Sequence, residues 1–273
     1  MRLRILHESS YRYDAPAHRA IEVLRLTPRG YDGQFVVNWR IEVDRDCRLS
    51  AGTDPFGNAM HNFTVDGPFD GLTVTATGEI ETQDTKGIVT GQVEPLPAAV
   101  FLRETPLTAA GPAIRAFTDE VTASSSDGLA RCHALMRAIN ARLQFTIDAT
   151  NTGTSAREAF ELGHGVCQDF AHIFIAAARY LGSPARYVGG YLYMPLRKDD
   201  QGAGHAWAEA LIDNVGWVGF DPANVVCPTD AYIRVAAGLD YLGAAPIRGT
   251  RYGGAGESLS VRVVVKQEGR AGR

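Results

Sequence analysis

Over its first hundred residues the chain reads as short runs rich in Val, Ile, Thr and aromatic side chains, with no helical period. Leu3 to Tyr13, Ile21 to Leu26, Gln34 to Val43, Met60 to Val65 and Leu72 to Glu81 are the predicted strands. Thr27-Pro28-Arg29-Gly30, Asp54-Pro55-Phe56-Gly57-Asn58 and Asp66-Gly67-Pro68 supply the turn residues between them. Short strands joined by polar turns predict an antiparallel β-sandwich. Pro95-Leu96-Pro97 then marks a boundary, so residues 1–97 read as an N-terminal β-sandwich domain and residues 98–273 as a second domain.

Beyond that boundary the period changes. Apolar residues at Leu129, Leu135, Met136, Ile139 and Leu143 predict an amphipathic helix over 127–143. Ser155-Ala156-Arg157-Glu158 has the form of a capping box that starts a short helix through Leu162. Gly163 and Gly165 break it, and a second helix follows from Cys167 to Leu181, with a core stripe of Phe170, Phe174, Ala177, Ala178 and Leu181. Extended segments come next at Ala185 to Met194, His205 to Ile212, Trp217 to Phe220 and Leu259 to Lys266. The Gly-rich tail between Asp230 and Glu257 is expected to be looped. The fold class is therefore α+β, with helices first and an antiparallel sheet after them.

Composition adds bounds. The chain has 273 residues, 45% hydrophobic and 21% charged, as in ordinary globular proteins. A formal net charge of -4 offers no electrostatic case for nucleic acid. The N-terminus lacks an apolar h-region and no stretch approaches a membrane span, so a cytoplasmic, membrane-free protein is expected. Four isolated cysteines, Cys47, Cys132, Cys167 and Cys227, form no C-x-x-C pair, so free thiols are expected in a reducing compartment. Cys132 and His133 are adjacent on a helix and face different ways, which argues against a shared metal. Cys132, Cys47 and Cys227 read as small buried hydrophobes.

Cys167 reads differently. On the first turn of a helix its sulfur meets unpaired backbone N–H groups and the positive end of the dipole, which favour a thiolate. The same turn offers the Cys167 N–H to an oxyanion. A histidine then opens a strand at His205, and an aspartate closes the next at Asp221, the order that a thiol nucleophile, its base and the base's orienter require.

Strand register tests that set. His205, Trp207, Glu209 and Leu211 alternate with alanines, a period of two. With a two-residue loop at Asn214-Val215, Asp221 would face Ala208 and point away from His205. With an odd loop, Asp213 to Val215, it falls opposite Trp207 and diagonal to His205, about 7–8 Å away between backbones, which is within side-chain reach. The odd loop is the expectation.

Gly165-Val166-Cys167-Gln168-Asp169-Phe170-Ala171-His172, Ala185-Arg186-Tyr187-Val188-Gly189-Gly190-Tyr191, His205-Ala206-Trp207-Ala208-Glu209 and Gly216-Trp217-Val218-Gly219-Phe220-Asp221-Pro222 together resemble the bacterial transglutaminase-like superfamily, whose core is papain-like. The segments His7 to Tyr13, Leu24 to Arg29 and Asp54 to Asn58 resemble the β-domain that precedes this core in bacterial members. Ala237 to Tyr241 and Pro246 to Gly249 resemble the family's C-terminal extension.

The resemblance implies Cys167 as nucleophile, His205 as general base and acid, and Asp221 as its orienter. It also points to Gln168, Asp169, Trp207 and Tyr241 for substrate or oxyanion contact. For Trp207 and the Gln168-Asp169 pair, a packing aromatic and a capped helix start are equal alternatives. It implies a cysteine protease or amidase that cleaves a peptide or amide bond through a thioester. A transglutaminase or acyltransferase passing the acyl group to an amine stays open, as does an inactive peptide-binding module. No cofactor, metal or calcium site is expected. The expected partner is a peptide or amide-containing substrate, and a homo-oligomer formed through the sandwich is left open.

Overall fold

Two strands far longer than the sequence pattern predicts organise the N-terminal half. In the computed structural model, which describes residues 1–195 and 203–268, β1 (Arg2–Thr27) pairs antiparallel with β4 (Ala59–Thr82) along nearly its whole length. Strands β2 (Gln34–Val43) and β3 (Ser50–Thr53) line opposite halves of β4. The predicted turn at Asp66-Gly67-Pro68 is instead an irregularity in one continuous strand, where the register shifts between Ala17 and Arg19. A bulge of this kind bends a sheet and gives a proline a place without a ladder bond. Tyr13, Ala20 and Leu24 then meet Phe63, Val65, Leu72 and Val74 in one cluster. The sandwich layers are thus two halves of a single six-stranded sheet.

The helices come next: α1 (Pro112–Thr122), α2 (Gly128–Arg142), α3 (Ala156–Leu162) and α4 (Cys167–Tyr180). A second sheet contains β5 (Ile88–Val89), β8 (Ala185–Leu192), β9 (His205–Ile212), β10 (Gly216–Phe220) and β11 (Tyr232–Gly238), in the order β11-β8-β9-β10-β5 and antiparallel throughout. Between them, β6 (Gln144–Phe145) and β7 (His164–Gly165) form a small parallel pair. Helix α4 lies between β8 and β9 on one side and α1, α2 and α3 on the other. It is buried from Gln168 through Arg179 on every face, where the sequence predicts an apolar stripe. Arg179 tolerates this by donating to the carbonyls of Phe101, Ala185 and Leu239 and to Thr108 Oγ1. No helix among the described residues is long and apolar enough to cross a membrane.

The tail corrects the expectation of a loop. It contains β11, the short helix α5 (Tyr241–Ala244) and β12 (Ile247–Gly253) before the expected final strand β13 (Ser258–Gln267). Strand β11 is buried at every position, so it shows no alternation to read. Strand β12 is specified by its partner: it pairs with the second half of β1, and β13 with the first half.

The two halves share a core. Leu3, Ile5, Ile80, Val263 and Val265 of the folded sheet join the cluster around Phe170, Phe174, Tyr191 and Ile233. Each such side chain, fully buried, stabilises by about 1.5–3 kcal/mol relative to exposure. Polar pairing fixes the seam. Gln34 Nε2 donates to the Arg234 carbonyl at 2.9 Å while its Oε1 accepts from the Arg234 N–H at 2.8 Å. Asn58 does the same with Ala237, at 2.7 and 2.8 Å. Two buried amides thereby satisfy the open edge of β11, a liability in any sheet.

Candidate active site

Helix α3 ends at Gly163, whose φ of 74° is the left-handed conformation that suits glycine. Two residues later the chain passes Gly165, where a Cβ would lie 2.7 Å from the Asp169 side chain. That carboxylate folds back over the helix start: its Oδ2 accepts from the Val166 N–H at 2.8 Å and from Thr150 Oγ1 at 2.6 Å. The N–H groups of Asp169 and Phe170 turn back to the Val166 carbonyl. Those of Cys167 and Gln168 belong to the helix's first turn, which has no intrahelical acceptor for them. The half-buried Cys167 side chain stands at this mouth.

The hairpin supplies the other two residues. Ile212 pairs with Gly216, so the loop is Asp213-Asn214-Val215, the odd length. Asn214 at φ 60° and Gly216 at φ 99° make the reversal. The ladder runs to Phe220 opposite Ala208, which brings the next residue, Asp221, level with Trp207. His205 Nε2 donates to Asp221 Oδ2 at 2.6 Å. The imidazole is also hydrogen-bonded to Cys167. Asp221 is wholly buried, and Oδ2 also accepts from Tyr232 Oη at 2.7 Å and Asn224 Nδ2 at 2.8 Å. Its Oδ1 accepts from the N–H groups of Ala223 and Asn224 at 3.0 and 3.2 Å.

The electrostatics follow from these contacts. Burial works against a charge on His205, but the hydrogen bonds to Asp221 and Cys167 and the charges behind them outweigh it, raising the imidazole to about 10. Burial likewise opposes the Asp221 charge; His205, Asn224 and Tyr232 win, and the carboxyl sits below its ordinary range. The pair is a charged imidazolium on a carboxylate. Tyr187, also buried, has its phenol pushed well above the usual value by burial and then by the charge at Cys167.

Cys167 and His205 open into a cleft of about 290 Å³. Val166 and Gln168 at the start of α4 and Tyr187, Gly189 and Gly190 of β8 line one side; His7, Ser9 and Tyr11 of β1 line the other. Among the described residues, no group of three or more His, Cys, Asp or Glu side chains is placed to hold a metal ion.

Residues 115–222 match the family model of the transglutaminase-like superfamily, and residues 3–81 match that of the bacterial transglutaminase-like N-terminal region. Uncharacterized protein ML0607 of Mycobacterium leprae is 31% identical over 277 residues, spanning 97% of this chain and 98% of that one. The chain belongs to the transglutaminase-like superfamily. A second relative, uncharacterized protein Rv2569c of Mycobacterium tuberculosis, is 31% identical over 275 residues, covering 92% and 88% of the two chains. The crystal structure of a proposed cysteine protease from Cytophaga hutchinsonii superposes with a TM-score of 0.79 at 20% identity, covering 97% of this chain and 90% of that one. At that identity the likeness is one of fold.

Within this transglutaminase-like site the remaining sequence candidates separate. Gln168 and Tyr241 line the cleft. Asp169 does not; its side chain is buried as the cap of α4. Trp207 is buried too, stacked on His205 with ring centroids 6.3 Å apart and edge-on to Tyr232 at 5.4 Å. It holds the imidazole and lies outside the cleft lining. Cys132 is fully buried and its thiol is pushed up to about 12 by burial, whereas Cys47 and Cys227 are only half-buried.

Tyr187, Tyr232, Asn224 and the β1 wall of His7, Ser9 and Tyr11 are parts of the site that the sequence did not point to. Tyr187 sits inside a family-like segment, which was a usable signal. Tyr232 and Asn224 had none, because loops set their distance from Asp221. The β1 wall lies in the family-like segment His7 to Tyr13, but that segment does not show which element β1 faces across the seam.

Proposed function

We propose that Cys167, His205 and Asp221 act as nucleophile, general acid–base and orienter in a thiol-dependent acyl transfer that hydrolyses an amide or peptide bond. The observation that carries this reading is His205, which is hydrogen-bonded to both Asp221 and Cys167.

Once the Cys167 proton has passed to the imidazole, the sulfur is free to attack. The sulfur bonds the carbonyl carbon, and the C=O electron pair moves to oxygen, where the N–H groups of Cys167 and Gln168 are placed to stabilise it. On collapse the C–N bond breaks, and His205 gives its proton to the departing amine. Water then loses a proton to His205 and splits the thioester, releasing the acid and restoring the pair. Asp221 keeps the ring oriented and its charge compensated throughout. An amine in place of water would make the protein a transglutaminase; among the described lining residues no carboxylate is present to hold such an amine. A role as an inactive binding module leaves the coupling of all three groups without a purpose.

Iodoacetamide labelling followed by peptide mapping tests the reading. Cys167 should alkylate faster than Cys47, Cys132 and Cys227, and His205→Ala should remove the difference. A panel of peptides and glutamine amides should release amine or ammonia from the wild type but not from Cys167→Ala. Four thiols reacting equally slowly would sink it.

A further inference from the structure

The cleft beside Cys167 is a joint product of the two halves, and its lining is chemically one-sided. Beyond His7, Ser9 and Tyr11, the N-terminal sheet adds Ile247 from β12 and Leu259 and Val261 from β13. The catalytic half adds Tyr187, Ala206, Tyr241 and Ala244. Among the described residues no Asp, Glu, Lys or Arg lines it. His7, the one other titratable base in the wall, has both nitrogens engaged: Nδ1 with Tyr191 Oη at 2.9 Å and Nε2 with Ser9 Oγ at 3.0 Å. Burial holds it uncharged, down to about 4.

An acyl group stays on the sulfur through both halves of the reaction, whereas the amine leaves after the first. Enclosure is therefore most useful to the acyl side. A charged acyl group entering this cleft would shed water without meeting a counter-charge. The site itself offers no rescue: the His205 imidazolium is already taken by Asp221, whose carboxylate is wholly buried. An anion would find the imidazolium already paired, and a cation would meet no carboxylate among the described lining residues.

We propose that this cleft takes the acyl portion of the substrate as an uncharged, largely apolar group, and that Tyr11, Ile247, Leu259 and Val261, from the N-terminal sheet, select for it. The inference rests on the acyl-transfer reading above and names its substrate class.

Three p-nitrophenyl esters of matched length test it: hexanoate, the adipate monoester and 6-trimethylammoniohexanoate. In each the sulfur bonds the carbonyl carbon, the C–O bond breaks, and p-nitrophenolate departs with its electron pair; water then splits the thioester. The burst of p-nitrophenolate gives the acylation rate, divided by each ester's rate with N-acetylcysteine to remove intrinsic reactivity. The normalised hexanoyl rate should exceed both charged rates by about ten-fold or more, the discrimination expected of an apolar pocket. Leu259→Lys, at a position 52% exposed and so able to accept the lysine without unfolding, should raise the adipoyl-to-hexanoyl ratio by about ten-fold. Equal normalised rates in the wild type would overturn the proposal. So would an unmoved ratio in a Leu259→Lys protein that melts like the wild type. A hexanoyl ester that fails to acylate, while Cys167 still alkylates in a His205-dependent way, overturns the pocket assignment and leaves the acyl-transfer reading standing. Loss of that alkylation overturns both.

Discussion

His205 and Glu209 lie four residues apart on β9, on the same face of the strand, and both have protonation equilibria moved far from the ordinary. His205 is raised to about 10 and Glu209 is lowered to about 2. Glu209 is fully buried and satisfied, accepting from Arg186 Nε at 2.6 Å and Arg234 Nε at 2.8 Å. Burial works against its charge, and the two guanidinium groups outweigh that. Arg186 is held in turn by Glu94 and stacks over Trp217 at 3.9 Å. One strand thus carries two strongly perturbed groups with different uses. Perturbation marks a strong partner, and only a free side turned toward a cleft and a nucleophile marks chemistry.

Substitutions at the two positions should separate these uses. His205→Ala is expected to have the largest effect on reaction, lowering amide turnover about 10³–10⁴-fold, the range seen when one member of such a set is removed. Its melting temperature should change little by comparison. Glu209→Gln should do the reverse. It takes the carboxylate from buried Arg234 and leaves Arg186 with Glu94 alone, and should cost about 3–5 kcal/mol in denaturant unfolding. The folded fraction should still alkylate at Cys167 with the wild-type pH profile. A stable Glu209→Gln protein with a dead Cys167 would erase the distinction.

Asp221→Asn sits between these extremes. It keeps the shape and loses the charge, so the imidazole loses its main counter-ion and acylation should slow about 10²-fold in burst kinetics. The expected cost in stability is smaller than for Glu209→Gln, because Asn224 and Tyr232 can still bond the amide oxygen. A larger cost than at Glu209 would mean that the two groups on β9 are both structural.

The parts of the molecule readable in advance are those whose physics is local. The capping box at Ser155 and Glu158, the start of α4 at Cys167 and the parity of the β9–β10 turn each depend on a few adjacent residues, and each is found in place. Parity was the strongest of these, since a one-residue change would have turned Asp221 to the other face. What was hidden is non-local. Strand β11 alternates nothing because both its faces are covered, and β12 carries glycine and arginine that only the edge of β1 makes into a strand. The expected turn at Asp66 became a bulge because β1 continues alongside it. For Asp169 the resemblance allows either substrate contact or a capped helix start, and its carboxylate makes the cap.

The smallest expected effect is the most specific probe of the site's charge balance. Tyr232→Phe removes one donor from Asp221 Oδ2 and leaves His205, Asn224 and two backbone N–H groups in place. The sign follows from the direction of each shift. Asp221 is depressed below its ordinary 3.8, so its stabilisation is present above that pH and is lost as pH falls through the folded-state value. His205 is raised above 6.5, so its stabilisation is complete below 6.5 and is lost as pH rises through about 10. The pair therefore supports the fold most fully between the two ordinary values. Losing the tyrosine hydroxyl moves Asp221 back toward 3.8, which should shift the acid limb of the stability and acylation profiles upward by less than about one pH unit. The basic limb belongs to His205 and should stay where it is. Movement of the basic limb alone would mean that Tyr232 acts on the imidazole through its ring, edge-on at 5.8 Å, and not through the hydrogen bond to Asp221.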